Sequence, residues 1–194
     1  EVHAGTMVVT PTDMLYSLAC SAVCSEALDT VCGLKCHNKA ESLVICLGCM
    51  TAIYRHSHVR VPKELLKELL PRPFTLVMEC SETLNKDLNP FTPLVGTWIP
   101  DHAFMEDLAQ VFEGPLALTS TNLSSQSPQL SLVIDLGVGI FGDGHSPECH
   151  LSSTVVDLSV PREFGIIHPG CALESTTAIL QSSESLLPGG RWYL

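Results

Sequence analysis

The stretch LKCHNKAESL, residues 34–43, sets a lysine, a cysteine and a histidine together between two apolar runs. Such a trio suits a metal-binding corner, a phosphate-binding corner, or a surface loop with no chemistry. A second candidate is CLGC, Cys46–Cys49, which lies close in sequence to Cys32, Cys36 and His37. Structural zinc sites usually show two tight ligand pairs at fixed spacing. No second CxxC occurs in the chain, so buried thiols are the favoured reading of this pair. A third set is polar residues placed where apolar runs end: PTD (Pro11–Asp13), TSTNLSS (Thr119–Ser125), Ser153 heading STVVD, and HPG (His168–Gly170). Ligands in open α/β sheets bind where strand ends and loops converge. The same residue types also serve ordinary turns, and pattern alone favours that use. Neither GxxxxGK[ST] nor GxSxG is present, which disfavours a P-loop nucleotide site and a conventional serine hydrolase.

The elements that must hold these residues are short and apolar. Strands are expected at Thr6–Thr10, Leu43–Leu47, Phe74–Met78, Leu94–Ile99, Leu116–Thr119, Leu132–Asp135, Thr154–Leu158 and Phe164–Ile167, short apolar runs set among Gly, Pro, Ser and Asp. Helices are expected at Ser25–Gly33, across PKELLKELLP, and across HAFMEDLAQVF behind an Asp101 cap, with a last short one at Glu174–Leu180. Strands interleave with helices and no internal repeat appears. The layout is α/β: one domain with a twisted sheet and helices on its faces. Consecutive strands in the C-terminal half make the sheet mixed. The Ser/Gly-rich end, 181–194, is expected to be a loose tail.

Bulk properties narrow the function classes. A length of 194 residues with 45% hydrophobic and 16% charged content fits one globular domain with a real core. The net charge is −11, and no Lys or Arg stands between Lys86 and Arg162, which disfavours broad nucleic-acid binding. Arg55, Arg60, Lys63 and Lys67 leave room for a local basic patch. No run approaches the roughly 20 apolar residues of a membrane-spanning helix. Nine irregularly spaced cysteines, most inside apolar segments, read as reduced thiols and point to a cytoplasmic setting. A mitochondrial pool would follow if a leader had been removed.

PTDMLYSLAC, LK-x-H, SLVICLG, RPFTLVM, VGTWIPDHAF, LALTSTNLS, STVVDL and IIHPG occur in this order. Together they resemble the YrdC family of threonylcarbamoyl-AMP synthases, with a YrdC-like domain over about residues 5–180. The resemblance implies a twisted mixed sheet flanked by helices around a deep central cavity. It also implies a nucleotidyltransferase reaction serving tRNA modification. Threonine's amine captures bicarbonate or carbon dioxide, and the carbamate attacks the α-phosphate of ATP. Pyrophosphate leaves, and a downstream transfer complex carries the threonylcarbamoyl group to tRNA adenosine. The implied ligands are ATP with Mg2+, L-threonine and bicarbonate, and tRNA or double-stranded RNA are implied partners.

Mapped by motif, ATP falls to Lys35, His37, Ser120, Asn122 and His168, and threonine to Thr12, Met14, Trp98 and Ser153. No residue is assigned as catalytic and none as a protein metal ligand. The charge-bearing positions depart from the family pattern. His37, Trp98 and His168 stand where arginines are expected, and Met14 stands where a second threonine is usual. A hydrogen bond to a charged group is worth about 1.5–3 kcal/mol, so each lost arginine implies one to two decades in binding or rate. The resemblance therefore implies weakened activity. Its alternative is an eroded relative that acts as a nucleotide- or RNA-binding module.

Overall fold

The computed structural model describes residues 7–12, 16–34, 42–101, 103–112, 114–120, 139–140 and 153–189. Strands β1 (Val8–Pro11), β2 (Tyr16–Ser21), β3 (Val44–Cys46) and β4 (Ser57–His58) alternate with helices α1 (Ser25–Leu34) and α2 (Ile53–His56). Helix α3 (Lys63–Leu69) leads into β5 (Phe74–Cys80) and β6 (Leu94–Trp98). Helix α4 (Ala103–Val111) precedes β7 (Leu116–Ser120) and β8 (Gly139–Ile140). The remaining elements are β9 (Thr154–Asp157), β10 (Glu163–His168), α5 (Leu173–Ser182) and β11 (Leu187–Pro188).

The strands form one mixed sheet ordered β11-β10-β9-β5-β6-β3-β7-β2-β1-β8, with β4 paired to β5. The pairs β3–β6, β5–β9, β1–β8 and β10–β11 are parallel, and the others are antiparallel. The α/β layout and the mixed sheet agree with the expectation.

Alternation along each strand divides the sheet into two faces. Val9, Leu18, Cys20, Ile45, Leu76 and Val156 point to one face, and there they join Ala27, Leu28 and Val31 of α1, Leu65, Leu66 and Leu69 of α3, and Leu180 of α5. The apolar spacing of those helices supplies this main core. Val8, Ala19, Cys46, Trp98, Leu116 and Leu118 point to the other face. That face carries a smaller cluster with Met105 and Ala109 of α4, and the Thr10 hydroxyl donates to the Met105 sulfur at 2.7 Å.

Several boundaries differ from the sequence expectation. Strand β2 was not foreseen: its Leu18, Ala19 and Cys20 are covered on both faces, which hides the alternation of a half-exposed strand. Helix α3 is shorter than PKELLKELLP because Leu70 is already extended (φ −135°, ψ 143°) before Pro71. Ordered structure continues past residue 180. Helix α5 runs to Ser182, and within the expected tail β11 pairs with β10 while Leu186 is buried. The expected strand 132–135 lies outside the described residues.

Candidate functional site

One end of the sheet gathers two threonine-side candidates, Trp98 and Ser153, and the nucleotide-side candidate His168. Pairing runs Ser21–Leu116–Cys46–Trp98 on one side and Thr75–Val155–His168 on the other. The β5–β6 register, Leu76 opposite Thr97, continues by one residue to set Thr75 beside Trp98. Ser153 precedes β9 by one residue and so falls in the same alternate set as Val155. Three of the mapped positions, Trp98, Ser153 and His168, therefore lie on three neighbouring parts of one sheet face, at the end where β6 finishes and β9 begins.

Hydroxyl bonds fix this end. The Oγ atoms of Ser153 and Thr75 are 2.8 Å apart in a hydrogen bond, and Thr75 is buried. Next to Ser153, the buried Thr154 accepts the backbone N–H of Gly170 on its Oγ1 at 3.3 Å. The two strings STVVD and HPG, 16 residues apart at this bond, are thereby joined. His168 ends β10 beyond a register shift and is exposed.

Trp98 is 3% exposed and packs with Cys46, Met105, Leu116 and the other members of the α4 cluster. Its indole Nε1–H is the one buried side-chain polar atom without a hydrogen-bond partner among the described residues. An apolar wall of this kind accepts an indole. It would demand an anionic partner for the guanidinium that the resemblance places here. No Lys or Arg occupies any described strand. The described face is accordingly hydroxyl-rich and uncharged at the Trp98–Thr75–Ser153 corner.

Gly96 is two residues before Trp98 on the same face, and close approach explains it. A Cβ there would meet Thr75 Cγ2 at 2.9 Å and Val44 Cγ2 at 3.1 Å. Thr12 is half-buried just after β1, and Ser120 pairs with Ser17, while Thr10 pairs with Ser17 from the other side. Ser120 holds a register position of the same alternate set as Leu116 and Leu118. Thr12 and Ser120 belong to the opposite end of the strands from Trp98. Lys35, His37, Met14 and Asn122 lie outside the described residues.

The cysteines separate by environment. Burial pushes the Cys20 thiol up to about 12, with Cys24 and Cys32 adding to the shift. Cys46 is buried in the α4 cluster, whereas Cys49 is exposed at the start of the turn Met50–Ala52. The Thr51 hydroxyl, 3.1 Å from its sulfur, and then the Ala52 N–H hold the Cys49 thiol below its ordinary value. The two ends of CLGC thus face different surroundings. Among the described residues no group of three His, Cys, Asp or Glu is placed to hold a metal ion.

Two further features lie apart from this face. The connection 81–93 contains a cavity of ≈ 520 Å³ lined in part by Leu84, Leu88, Asn89 and Phe91. The sequence also holds GVGIFG at 137–142, a GxGxxG string. Its Gly139–Ile140 pairs as strand β8 with β1, whereas a dinucleotide fingerprint needs a turn opening a helix.

Comparison with known proteins agrees with this architecture. A family model for Sua5, YciO and YrdC proteins, described as "Telomere recombination", matches residues 1–170. The chain is 64% identical over 206 aligned residues to the threonylcarbamoyl-AMP synthase of Homo sapiens, covering 100% of this chain and 73% of that one. It is 63% identical to the Bos taurus protein of the same name, over 99% and 74% of the two chains. Among solved structures, a H234A/Y235A variant of P. abyssi Sua5 superposes with a TM-score of 0.75 at 26% identity, over 86% of this chain and 53% of that one. P. abyssi Sua5 in complex with L-threonine superposes with a TM-score of 0.78 at 24% identity, over 95% and 56%. The chain thus spans about half the length of those Sua5 structures. With its family model matched over residues 1–170, and with mammalian relatives aligned over nearly all of this chain, the chain belongs to the Sua5/YciO/YrdC family.

Proposed function

We propose that this chain is an L-threonylcarbamoyladenylate synthase, converting ATP, L-threonine and bicarbonate into threonylcarbamoyl-AMP and pyrophosphate for tRNA modification. The observation that carries the reading is an identity of 61–64% with four mammalian proteins of that name, over 97–100% of this chain and 71–74% of theirs. The threonine amine adds to carbon dioxide from bicarbonate, and a carbamate oxygen attacks the α-phosphorus as pyrophosphate departs. Such chemistry rests on charge stabilisation around the phosphates and on orientation of the amino acid. Lys35, His37, Ser120, Asn122 and His168 take the nucleotide in this reading, and Thr12, Met14, Trp98 and Ser153 take threonine. Mg2+ enters with ATP, held mainly by phosphate oxygens and water, as this ion prefers, and neutralises phosphate charge. The product passes to a transfer complex acting on tRNA.

Activity is weaker than an arginine-bearing site would give. Histidine, with a reference pKa of about 6.5, is a poor substitute for a permanent cation. Trp98 has only one neutral N–H, buried in the α4 cluster, where arginine would offer a charged fork. The test is pyrophosphate release from ATP with threonine and bicarbonate each omitted in turn. Slow release that needs both supports the reading, and release indifferent to threonine contradicts it.

The buried, unpaired Trp98 favours one second reading, a module that binds nucleotide without turnover. ATP binding by calorimetry with no pyrophosphate release would select it. A salt-sensitive gel shift of double-stranded RNA would extend it to RNA, against the cation-free span from 87 to 161.

A further inference from the structure

We propose that Thr75 is a positioning residue for threonine binding, setting the hydroxyl of Ser153 through the 2.8 Å bond between them. The proposal rests on the reading of Ser153 as a threonine-side residue. Thr75 stands between Trp98 and Val155 in one row of the sheet, and it is buried beside the two threonine-side candidates Trp98 and Ser153. A carboxylate only accepts hydrogen bonds, so Ser153 must donate outward when an amino acid binds. Its remaining oxygen lone pairs then face Thr75, whose own O–H donates to Ser153 Oγ. Two hydroxyls in series polarise one another, and the outward O–H becomes the stronger donor. That matters most where Trp98 has replaced a guanidinium.

Gly96 makes the arrangement possible. Its missing Cβ leaves room for Thr75 Cγ2, which would lie 2.9 Å from any side-chain carbon there. With the methyl seated over Gly96, rotation about the Thr75 Cα–Cβ bond is restricted and Oγ1 stays on Ser153. The strand geometry thus selects a threonine rotamer, and the rotamer selects the direction of the serine.

The test is calorimetric titration of L-threonine into the full chain in the presence of a non-hydrolysable ATP analogue. Variants are Thr75→Val, Thr75→Ser, Ser153→Ala and the double variant of Thr75→Val with Ser153→Ala. Thr75→Val keeps the shape and removes the hydroxyl. It is expected to raise the threonine Kd about five- to tenfold and to leave the analogue's Kd within about twofold. Thr75→Ser is expected to restore threonine binding to within about threefold. The double variant is expected to bind no more weakly than Ser153→Ala alone, because the two hydroxyls act as one unit. Equal losses of threonine and analogue affinity in Thr75→Val would show a general structural role and overturn the proposal. Wild-type threonine affinity in Thr75→Val, with a loss in Ser153→Ala, would overturn the proposal and leave the proposed function standing. No loss in Ser153→Ala would remove the threonine-side assignment itself, and absence of threonine binding by the unmodified chain would remove both readings.

Discussion

The Oγ1 of buried Thr154 accepts a hydrogen bond from the N–H of Gly170 at 3.3 Å, tying the head of β9 to the loop that follows His168. The Thr154 backbone N–H is itself bound to the carbonyl of Pro73 at 3.3 Å, which adds the entry of β5 to the same knot. Thr154→Val keeps the volume and removes the acceptor. Stability is expected to fall by about 1 kcal/mol, read from urea unfolding, since a typical internal hydrogen bond contributes about that much. If His168 binds nucleotide, the same variant also weakens ATP binding. Unchanged stability would show that water serves Gly170 equally well.

Gly96→Ala is expected to destabilise the protein by about 1–3 kcal/mol, the usual range for overpacking a filled interior. The added methyl would collide with Thr75 Cγ2 and Val44 Cγ2, both on flanking strands of the same face. Thr75 would have to turn away from Ser153, so threonine affinity should fall together with the unfolding midpoint. A fully stable Gly96→Ala protein would mean that β5 and β6 separate more easily than their ladder suggests.

Restoring charge tests the mapping of the nucleotide side. His37→Arg and His168→Arg together are expected to tighten ATP binding at least about a hundredfold at pH 7.5, the low end for two charged hydrogen bonds. Calorimetry with ATP reads this directly. No gain would place those two positions away from the phosphates. Trp98→Arg behaves differently, because position 98 lies in the apolar cluster with Met105 and Leu116. Burying an unpaired guanidinium there is expected to lower the unfolding midpoint, with partial recovery when threonine is added.

Thiol reactivity should follow environment. Cys49 is exposed and held below its ordinary pKa by the Thr51 hydroxyl and the Ala52 N–H, so a larger thiolate fraction exists at neutral pH. Burial raises Cys20, Cys32 and Cys80 and has the opposite effect. Iodoacetamide at pH 7.5, followed by peptide mass mapping, is expected to label Cys49 ahead of those three, with Cys20 labelled only in denaturant. The Cys49 rate should level off at lower pH than that of an ordinary thiol, and Thr51→Val should move that plateau upward.

The α/β layout was legible because punctuation in the sequence is strong. Gly114–Pro115 precedes β7, Pro62 precedes α3, and β5 follows Pro71–Pro73. Strand β2 was not legible, since its Leu18, Ala19, Cys20 and Ser21 are buried on both faces and the segment lacks alternation. The short elements at 50–58 fall below the length at which periodicity carries information. Of the site, the motif strings supplied Ser153, His168 and Trp98, and the sheet register brings those three together. Thr75 was read only as part of an apolar strand. Its bond to Ser153 spans 78 residues, a separation that no local pattern reports. The burial of Trp98 was likewise invisible, because it depends on α4 folding back over the row.

The central claim is that a threonylcarbamoyl-AMP synthase persists here despite histidines at 37 and 168 and tryptophan at 98. Incubation of the purified chain with ATP, Mg2+, L-threonine and radiolabelled bicarbonate, followed by chromatographic separation of nucleotides, tests it directly. The expected result is labelled threonylcarbamoyl-AMP, formed slowly and only when threonine and ATP are both present. Tight ATP binding with no labelled adenylate at any threonine concentration would contradict it.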